Sequence, residues 1–367
     1  MTEQVLYRKY RPSDFDEVVG QEHVITAIRN SLKIGRIAHA YLFSGPRGVG
    51  KTTIARLIAK SLSCTAKNRP CNTCVSCENF NQSRAMNVIE IDAASNRGID
   101  DIRELREGVR IVPTQGMYKT YIIDEAHMLS KDAFNALLKT LEEPPAHAVF
   151  ILATTEIEKV PATIISRTQH YDFRRPNVAQ IATRLREIAK KENTTLSPDA
   201  AQMIALAGEG SLRDAEGILG QIMAVEDNNI TPKEVEHILG LPPAEAVKRM
   251  FVAIANSNIK EALAIAQELT DAGHDITHFS KLLLRYFRAA LLLKNDPSLA
   301  SFFERDFLPD ELQCIAAHLA AFAPHALPHA VTTIFQNMQS FKKMPIPQLP
   351  LELSIVQIIA ENTPAQT

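Results

Sequence analysis

The sequence contains no run of about 18 uncharged apolar residues, so no membrane-spanning helix is expected. Its start, Met1-Thr2-Glu3-Gln4, lacks a basic stretch followed by an apolar core, so no secretory leader is expected and the cytoplasm is the default location. Cysteine is scarce, five in 367 residues, and four of the five crowd into residues 64–77. That distribution is not the framework of a disulfide-stapled secreted protein. There is no internal repeat and no low-complexity tract. Hydrophobic residues make up 46% and charged residues 22%, an ordinary globular composition, and the length calls for two or three domains.

Net charge is also small, −2, but it is unevenly spread. Residues 1–200 carry 28 basic against 23 acidic side chains, and residues 201–367 carry 12 against 19. A front part that leans basic is compatible with a polyanionic ligand and equally with random surface variation.

The first half alternates short β-branched runs with helical patterns. Tyr41-Leu42-Phe43, Val88-Ile89-Glu90-Ile91, Tyr121-Ile122-Ile123 and Val149-Phe150-Ile151-Leu152 read as buried strands of a parallel sheet covered on both faces. Ligands of such sheets bind at the carboxyl ends of the strands. From Arg174-Arg175-Pro176 to about Gly240 only short helices are read. Beyond Gly240-Leu241-Pro242-Pro243 the chain is helical with long apolar stripes. The expected division is 1–175 (α/β), 176–242 (a small helical domain) and 243–367 (all-α), with 361–367 frayed.

Gly45-Pro46-Arg47-Gly48-Val49-Gly50-Lys51-Thr52 fits G-x-x-x-x-G-K-[ST] in full, between a strand and an apolar helix at 54–61. Its glycines let backbone N–H groups of Gly48, Val49, Gly50 and the helix start, Lys51 to Thr53, surround a phosphate. Lys51 is expected to reach the β- and γ-phosphates of ATP, and Thr52 to hold Mg²⁺. The strand 121–123 ends in Asp124-Glu125. Asp124 suits a water of the Mg²⁺ shell, and Glu125 suits the general base that polarises the attacking water. Either carboxylate alone could merely cap a helix. The continuation Ala126-His127 spells D-E-A-H, to which no weight is given, because nothing else in the chain resembles the helicases that share the string.

Ala153-Thr154-Thr155 ends the next strand. A hydroxyl there can touch both γ-phosphate and water, and Thr155 is preferred to Thr154. Ser166-Arg167 and Gly210-Ser211-Leu212-Arg213-Asp214 each offer an arginine. One supplied in trans stabilises the transferring phosphoryl group by about 10³–10⁵ in rate, but position alone does not single out Arg167. Arg213 could close a helical segment over ATP or make an intrahelical salt bridge. Cys64, Cys71, Cys74 and Cys77 have six, two and two intervening residues, which suits a closed, structural Cys₄ zinc site. A redox role for the C-x-x-C pairs is the lesser alternative. Cys314 reads as an inert core thiol.

Four strings then carry a resemblance: Arg8-Lys9-Tyr10-Arg11-Pro12, Val18-Val19-Gly20-Gln21-Glu22, Leu137-Leu138-Lys139-Thr140-Leu141-Glu142-Glu143-Pro144-Pro145, and the segment Gly210 to Asp214. Together with the phosphate loop they resemble the bacterial DNA polymerase III γ/τ family, the AAA+ motor subunits of sliding-clamp loaders. The likeness is strong over about residues 1–240 and holds by pattern alone beyond. In that family the Ser-Arg pair is usually followed by Cys, and here Thr168 follows. The resemblance implies an α/β AAA+ P-loop domain with a parallel sheet, a helical lid and an all-α collar. It implies that Arg167 acts on a neighbour's ATP, that Thr155 and Arg213 are the two sensors, and that Arg11, Pro12, Val18 and Val19 line the adenine pocket. It agrees with zinc on the four cysteines. The partners it implies are further copies of this chain, the δ and δ′ subunits, the clamp and primer–template DNA.

Arg97 and Lys131, each beside a helix start, could face DNA or simply be solvated loop charges. A subunit that binds but no longer hydrolyses ATP is disfavoured by the intact Lys51, Thr52, Asp124 and Glu125. A small-molecule kinase is disfavoured by the two helical domains and the trans-arginine pattern. A branch-migration motor is disfavoured by the cysteine cluster and the 137–145 string.

Overall fold

The structure is a computed structural model; it describes residues 5–362 except 83, 97, 114–115, 226–228, 241–242, 304–306, 308 and 342–343. Backbone contacts divide the chain into two compact units: Met1–Ile188 with Ala207–Gln221, and Ala189–Leu206 with Ile222–Thr367. The 176–242 stretch therefore contributes to both. Among the described residues no helix is long and apolar enough to cross a membrane.

The first unit is built on five parallel strands: β1 (Ala40–Ser44), β2 (Val88–Asp92), β3 (Lys119–Asp124), β4 (Ala148–Thr154) and β5 (Gln169–Asp172). Their order is β2-β3-β4-β1-β5. The longer helices are α1 (Glu22–Ile34), α2 (Lys51–Ser63), α3 (Val75–Asn81), α4 (Ile99–Val109), α5 (Lys131–Glu142), α6 (Val178–Lys191) and α7 (Leu212–Val225). Side chains alternate across a strand, and the core divides accordingly. Leu42, Ile123, Phe150 and Leu152 face a cluster with Ile102 of α4 and Leu137 of α5. Phe43, Ile122, Val149 and Ile151 face a cluster with Ile28 of α1 and Ile58 of α2. Leu42 and Ile151 are fully buried, each worth about 1.5–3 kcal/mol of apolar transfer. Burial on both faces is why β1, β3 and β4 read as unbroken apolar runs.

Two readings need correction. β5 was not expected. It is a largely exposed edge strand, Gln-His-Tyr-Asp, with no apolar run to announce it. The 176–240 stretch is not purely helical either, since Thr195–Leu196 and Asn229–Ile230 form a short parallel pair.

The second unit packs helices Ala244–Ala255, Ile259–Asp271, Ile276–Asn295, Ala326–Met338 and Leu349–Asn362 around one apolar cluster. Phe251 lies against Phe287 and Phe322 at ring separations of 5.3 and 5.6 Å. Cys314 is half-buried rather than a core residue, and burial raises its thiol pKa.

Candidate nucleotide site and cysteine centre

The strand order explains why the motifs meet. β3, β4 and β1 are neighbours, so their carboxyl ends bring the loop after Ser44, the Asp124-Glu125 pair and Thr154-Thr155 side by side. The loop folds back at Gly45, Gly48 and Gly50, whose φ angles are +136°, +74° and +103°. A side chain at Gly45 would come within 2.3 Å of the Phe173 carbonyl oxygen. Lys51 begins α2 and is buried. Its Nζ donates to the carbonyls of Gly45 and Pro46, each at 2.7 Å. Burial lowers its pKa, against the pull of Glu125 and Asp124.

Thr52 Oγ1 donates to Asp124 Oδ2 at 2.8 Å. Glu125 sits in the left-handed region at φ +49°, and its N–H donates to Asp124 Oδ1 at 3.0 Å. This backbone turn sends the two adjacent carboxylates to different tasks: one to Thr52, the other to Thr155, whose Oγ1 donates to Glu125 Oε2 at 3.1 Å. Thr154 is fully buried and contacts His127 Nδ1 at 3.1 Å. Of the two threonines, only Thr155 has a hydrogen bond to Glu125 among the described residues.

The phosphate loop and the Asp124-Glu125 pair open onto one cleft. Gly48 to Thr53, Asp124-Glu125, Arg11, Pro12, Val18 and Val19 all line it, together with Leu212 and Arg213 of α7. The α7 end is held down by Leu212 N–H donating to the Gly48 carbonyl at 3.1 Å. The Arg213 guanidinium lies 4.8 Å from the Tyr7 ring centre and lowers the Tyr7 pKa. Thr155 stands outside the lining and reaches it through Glu125. Arg167 also stands outside it. Its Nη2 pairs with Glu142 Oε1 at 2.8 Å, and its Nη1 donates to the Thr163 carbonyl at 2.9 Å.

The sequence reading missed several lining residues: Tyr7, Glu17, Arg47, Arg184 and Glu216. Glu216 follows Arg213 by one helical turn, the only signal that could have found it. Burial raises its carboxyl pKa to about 7 despite Arg184 and Arg11 nearby. His127 was also passed over. Its ring is almost wholly buried and lies 3.5 Å from Glu125 Oε2 and 3.2 Å from Glu156 Oε1.

Cys64, Cys71, Cys74 and Cys77 meet with all four Sγ atoms within 4.8 Å of one another. Two pairs are separated by 4.0 and 3.9 Å, near the roughly 3.8 Å that a tetrahedral site with Zn–S of about 2.3 Å requires. Cys64 caps the carboxyl end of α2 and Cys74 precedes α3. Lys60, fully buried, ties this insertion down. Its Nζ donates to the Ser13 carbonyl at 3.1 Å, to Asn81 Oδ1 at 2.7 Å and to Asn72 Oδ1. Lys131 is an exposed residue of the Ser130-capped α5. Arg97 lies outside the described residues.

Comparison with known proteins matches three successive stretches of the chain. Residues 20–177 match the family model for the DNA polymerase III delta subunit. Residues 180–228 match the DNA polymerase III clamp loader subunit ATPase lid domain, and residues 230–366 match domain III of the DNA polymerase III gamma and tau subunits. DNA polymerase III subunit gamma of Buchnera aphidicola is 38% identical, over 82% of this chain and 81% of that one. This chain belongs to the DNA polymerase III gamma/tau family. The tau subunit of Bacillus subtilis is 38% identical over 98% of the chain, but the chain spans only 63% of that relative's length. A variant of Thermotoga maritima RuvB shares the fold, with TM-score 0.50 and 20% identity over 67% of this chain and 79% of that one. Family membership makes the α/β unit an AAA+ P-loop fold accompanied by helical lid and gamma/tau segments.

Proposed function

We propose that this chain is an ATP-hydrolysing motor subunit of a DNA polymerase III clamp loader, using ATP to load a sliding clamp onto primer–template DNA. The observation that carries the reading is the cleft where Lys51, Thr52, Asp124, Glu125 and Arg213 converge. The Thr52 hydroxyl and Asp124 carboxylate, 2.8 Å apart, form the hard-oxygen donor set that suits Mg²⁺. Bound there, Mg²⁺ neutralises charge on the phosphates. Lys51 binds the β- and γ-phosphates. Glu125 takes a proton from the attacking water as that water displaces ADP from phosphate, and Thr155 orients Glu125. Arg213, on α7, senses the γ-phosphate. Arg167 stands outside its own chain's cleft and acts on a neighbour's ATP.

The domains run 1–175, 176–242 as the lid and 243–367 as the collar. The thiol cluster holds a structural zinc, with every coordination place filled by protein. The chain works in the cytoplasm with further copies of itself, δ, δ′, the clamp and DNA, whose backbone Lys131 and Arg97 contact. The output is mechanical, because γ-phosphate contacts hold one arrangement and hydrolysis releases it. Assemblies mixing Lys51→Ala and Arg167→Ala chains test this. The first variant is expected to be dead at its own site, and the second to bind ATP but silence its neighbour. Normal hydrolysis by a full complex carrying Arg167→Ala throughout overturns the trans assignment.

A further inference from the structure

We propose that Glu216, paired with Arg184, reads the nucleobase: its carboxylate accepts the exocyclic amine of adenine and disfavours a purine carrying an oxygen there. The proposal rests on the reading of the cleft as a nucleoside triphosphate site. With the phosphates fixed at Lys51 and Thr52, base and ribose must occupy other parts of the same cleft. Glu216 lines that cleft along with Arg11, Val18 and Arg184, and its carboxyl feels the charge of Arg184 and Arg11. It sits four residues after Leu212 on α7, hence on the same helical face. Leu212 is itself tied to the Gly48 carbonyl, so the carboxylate's distance from the phosphate loop is set by the helix.

Glu216 is only 7% exposed. A carboxylate taken that far from water needs charge and hydrogen-bond partners. Arg184 supplies charge, but its Nε lies 3.7 Å from Glu216 Oε1, beyond hydrogen-bond length. The same guanidinium is engaged elsewhere, since its Nη2 donates to the Tyr10 carbonyl at 2.7 Å. A carboxylate has about four lone-pair positions, so acceptor capacity remains at the cleft wall. Burial raises the group's pKa to about 7, the mark of a carboxyl short of compensation. An adenine N6–H donor provides that compensation. A guanine places its O6 acceptor there and leaves two acceptors facing each other. A hydrogen bond to a charged group is worth about 10–100-fold in affinity.

The test is equilibrium binding of Mg-ATP and Mg-GTP to the full chain, as wild type, Glu216→Gln and Glu216→Leu. Wild type is expected to favour ATP by about 10–100-fold. The Gln amide offers both a donor and an acceptor, so the ATP:GTP ratio should fall toward one. The Leu variant should lose ATP affinity and selectivity together, and it replaces the Gln variant if that one fails to fold. A merely structural Glu216 would change both affinities alike and leave their ratio untouched. An unchanged ratio in a variant that binds ATP overturns the base assignment alone. A wild-type chain that retains neither nucleotide overturns the ATP site as well.

Discussion

Gly48→Ala is a sharp probe of the clasp between the phosphate loop and α7, because its cost can be worked out in parts. Gly48 has φ +74°, where a Cβ costs about 1–2 kcal/mol. The added Cβ would also stand 1.9 Å from Ser211 Oγ and 2.9 Å from Ser211 Cβ, so Ser211 must shift. Overpacking of this kind costs about 1–3 kcal/mol. Ser211 cannot move freely, since its Oγ accepts the Asp214 N–H at 3.2 Å as the cap of α7, and Leu212 N–H holds the Gly48 carbonyl. The sum is about 2–5 kcal/mol, divided between unfolding free energy and ATP affinity.

Ser211→Gly separates the two costs. It removes Oγ and Cβ and leaves Ser211 Cα at 3.4 Å from the new methyl, an ordinary contact. As a cap, Gly is only a few tenths of a kcal/mol poorer than Ser. The double variant should therefore retain about the 1–2 kcal/mol backbone cost, and the cycle should show a favourable coupling of about 1–3 kcal/mol. Urea unfolding and equilibrium ATP binding on all four proteins measure the sum. A single variant within about 0.5 kcal/mol of wild type, or no relief from Ser211→Gly, refutes the reasoning.

The remaining expectations concern Glu216 and the metal. Glu216 titrates at about 7 when folded against 4.5 ordinarily, so the folded chain holds this proton more tightly. The stability it contributes is full below about pH 4.5 and is lost as pH rises through about 7, by up to roughly 3 kcal/mol. Urea unfolding from pH 5 to 7.5 should show that decline in wild type and a flatter curve for Glu216→Gln. Stripping the thiol cluster with a chelator should release about one zinc per chain. It should raise amide exchange across 64–82, where Lys60 anchors Asn72 and Asn81, while exchange in β4 stays slow. No bound zinc in the purified protein counts against the structural site.

How much of this was legible in the sequence depended on whether one short stretch held the whole signal. β1, β3 and β4 were readable because burial on both faces leaves apolar runs, and β2, at the other edge, because Val88, Ile89 and Ile91 are only partly exposed. β5 was not, because an edge strand with three exposed residues of four carries no such run. The four cysteines were readable because thiol chemistry is local. That Lys60 fastens their insertion to Ser13 was not, because a lysine on a helix reads as solvated until its three acceptors are seen. The phosphate loop was legible as a motif, yet the reason for glycine at 48 is Ser211, far along the chain. Glu216 and Arg184 belong to no local motif, and only tertiary structure brings them to the cleft.

His127 shows the same limit from the other side. Its four-letter string was set aside because strings of that kind name other proteins, and as a family signal it deserved no weight. As chemistry it is informative. The residue two positions after Glu125 comes back beneath it and meets Thr154 and Glu156 at the end of β4. Thr154 Oγ1 already accepts the Glu156 N–H at 3.1 Å, so its hydroxyl proton is free to go to His127 Nδ1. The ring's Nε2–H then faces Glu156 Oε1. Glu125 is tied to the β4 end through Thr155, whose Oγ1 donates to it at 3.1 Å, and the ring packs beside its carboxylate at 3.5 Å. A shift of that strand end would therefore reach the Glu125 carboxylate directly.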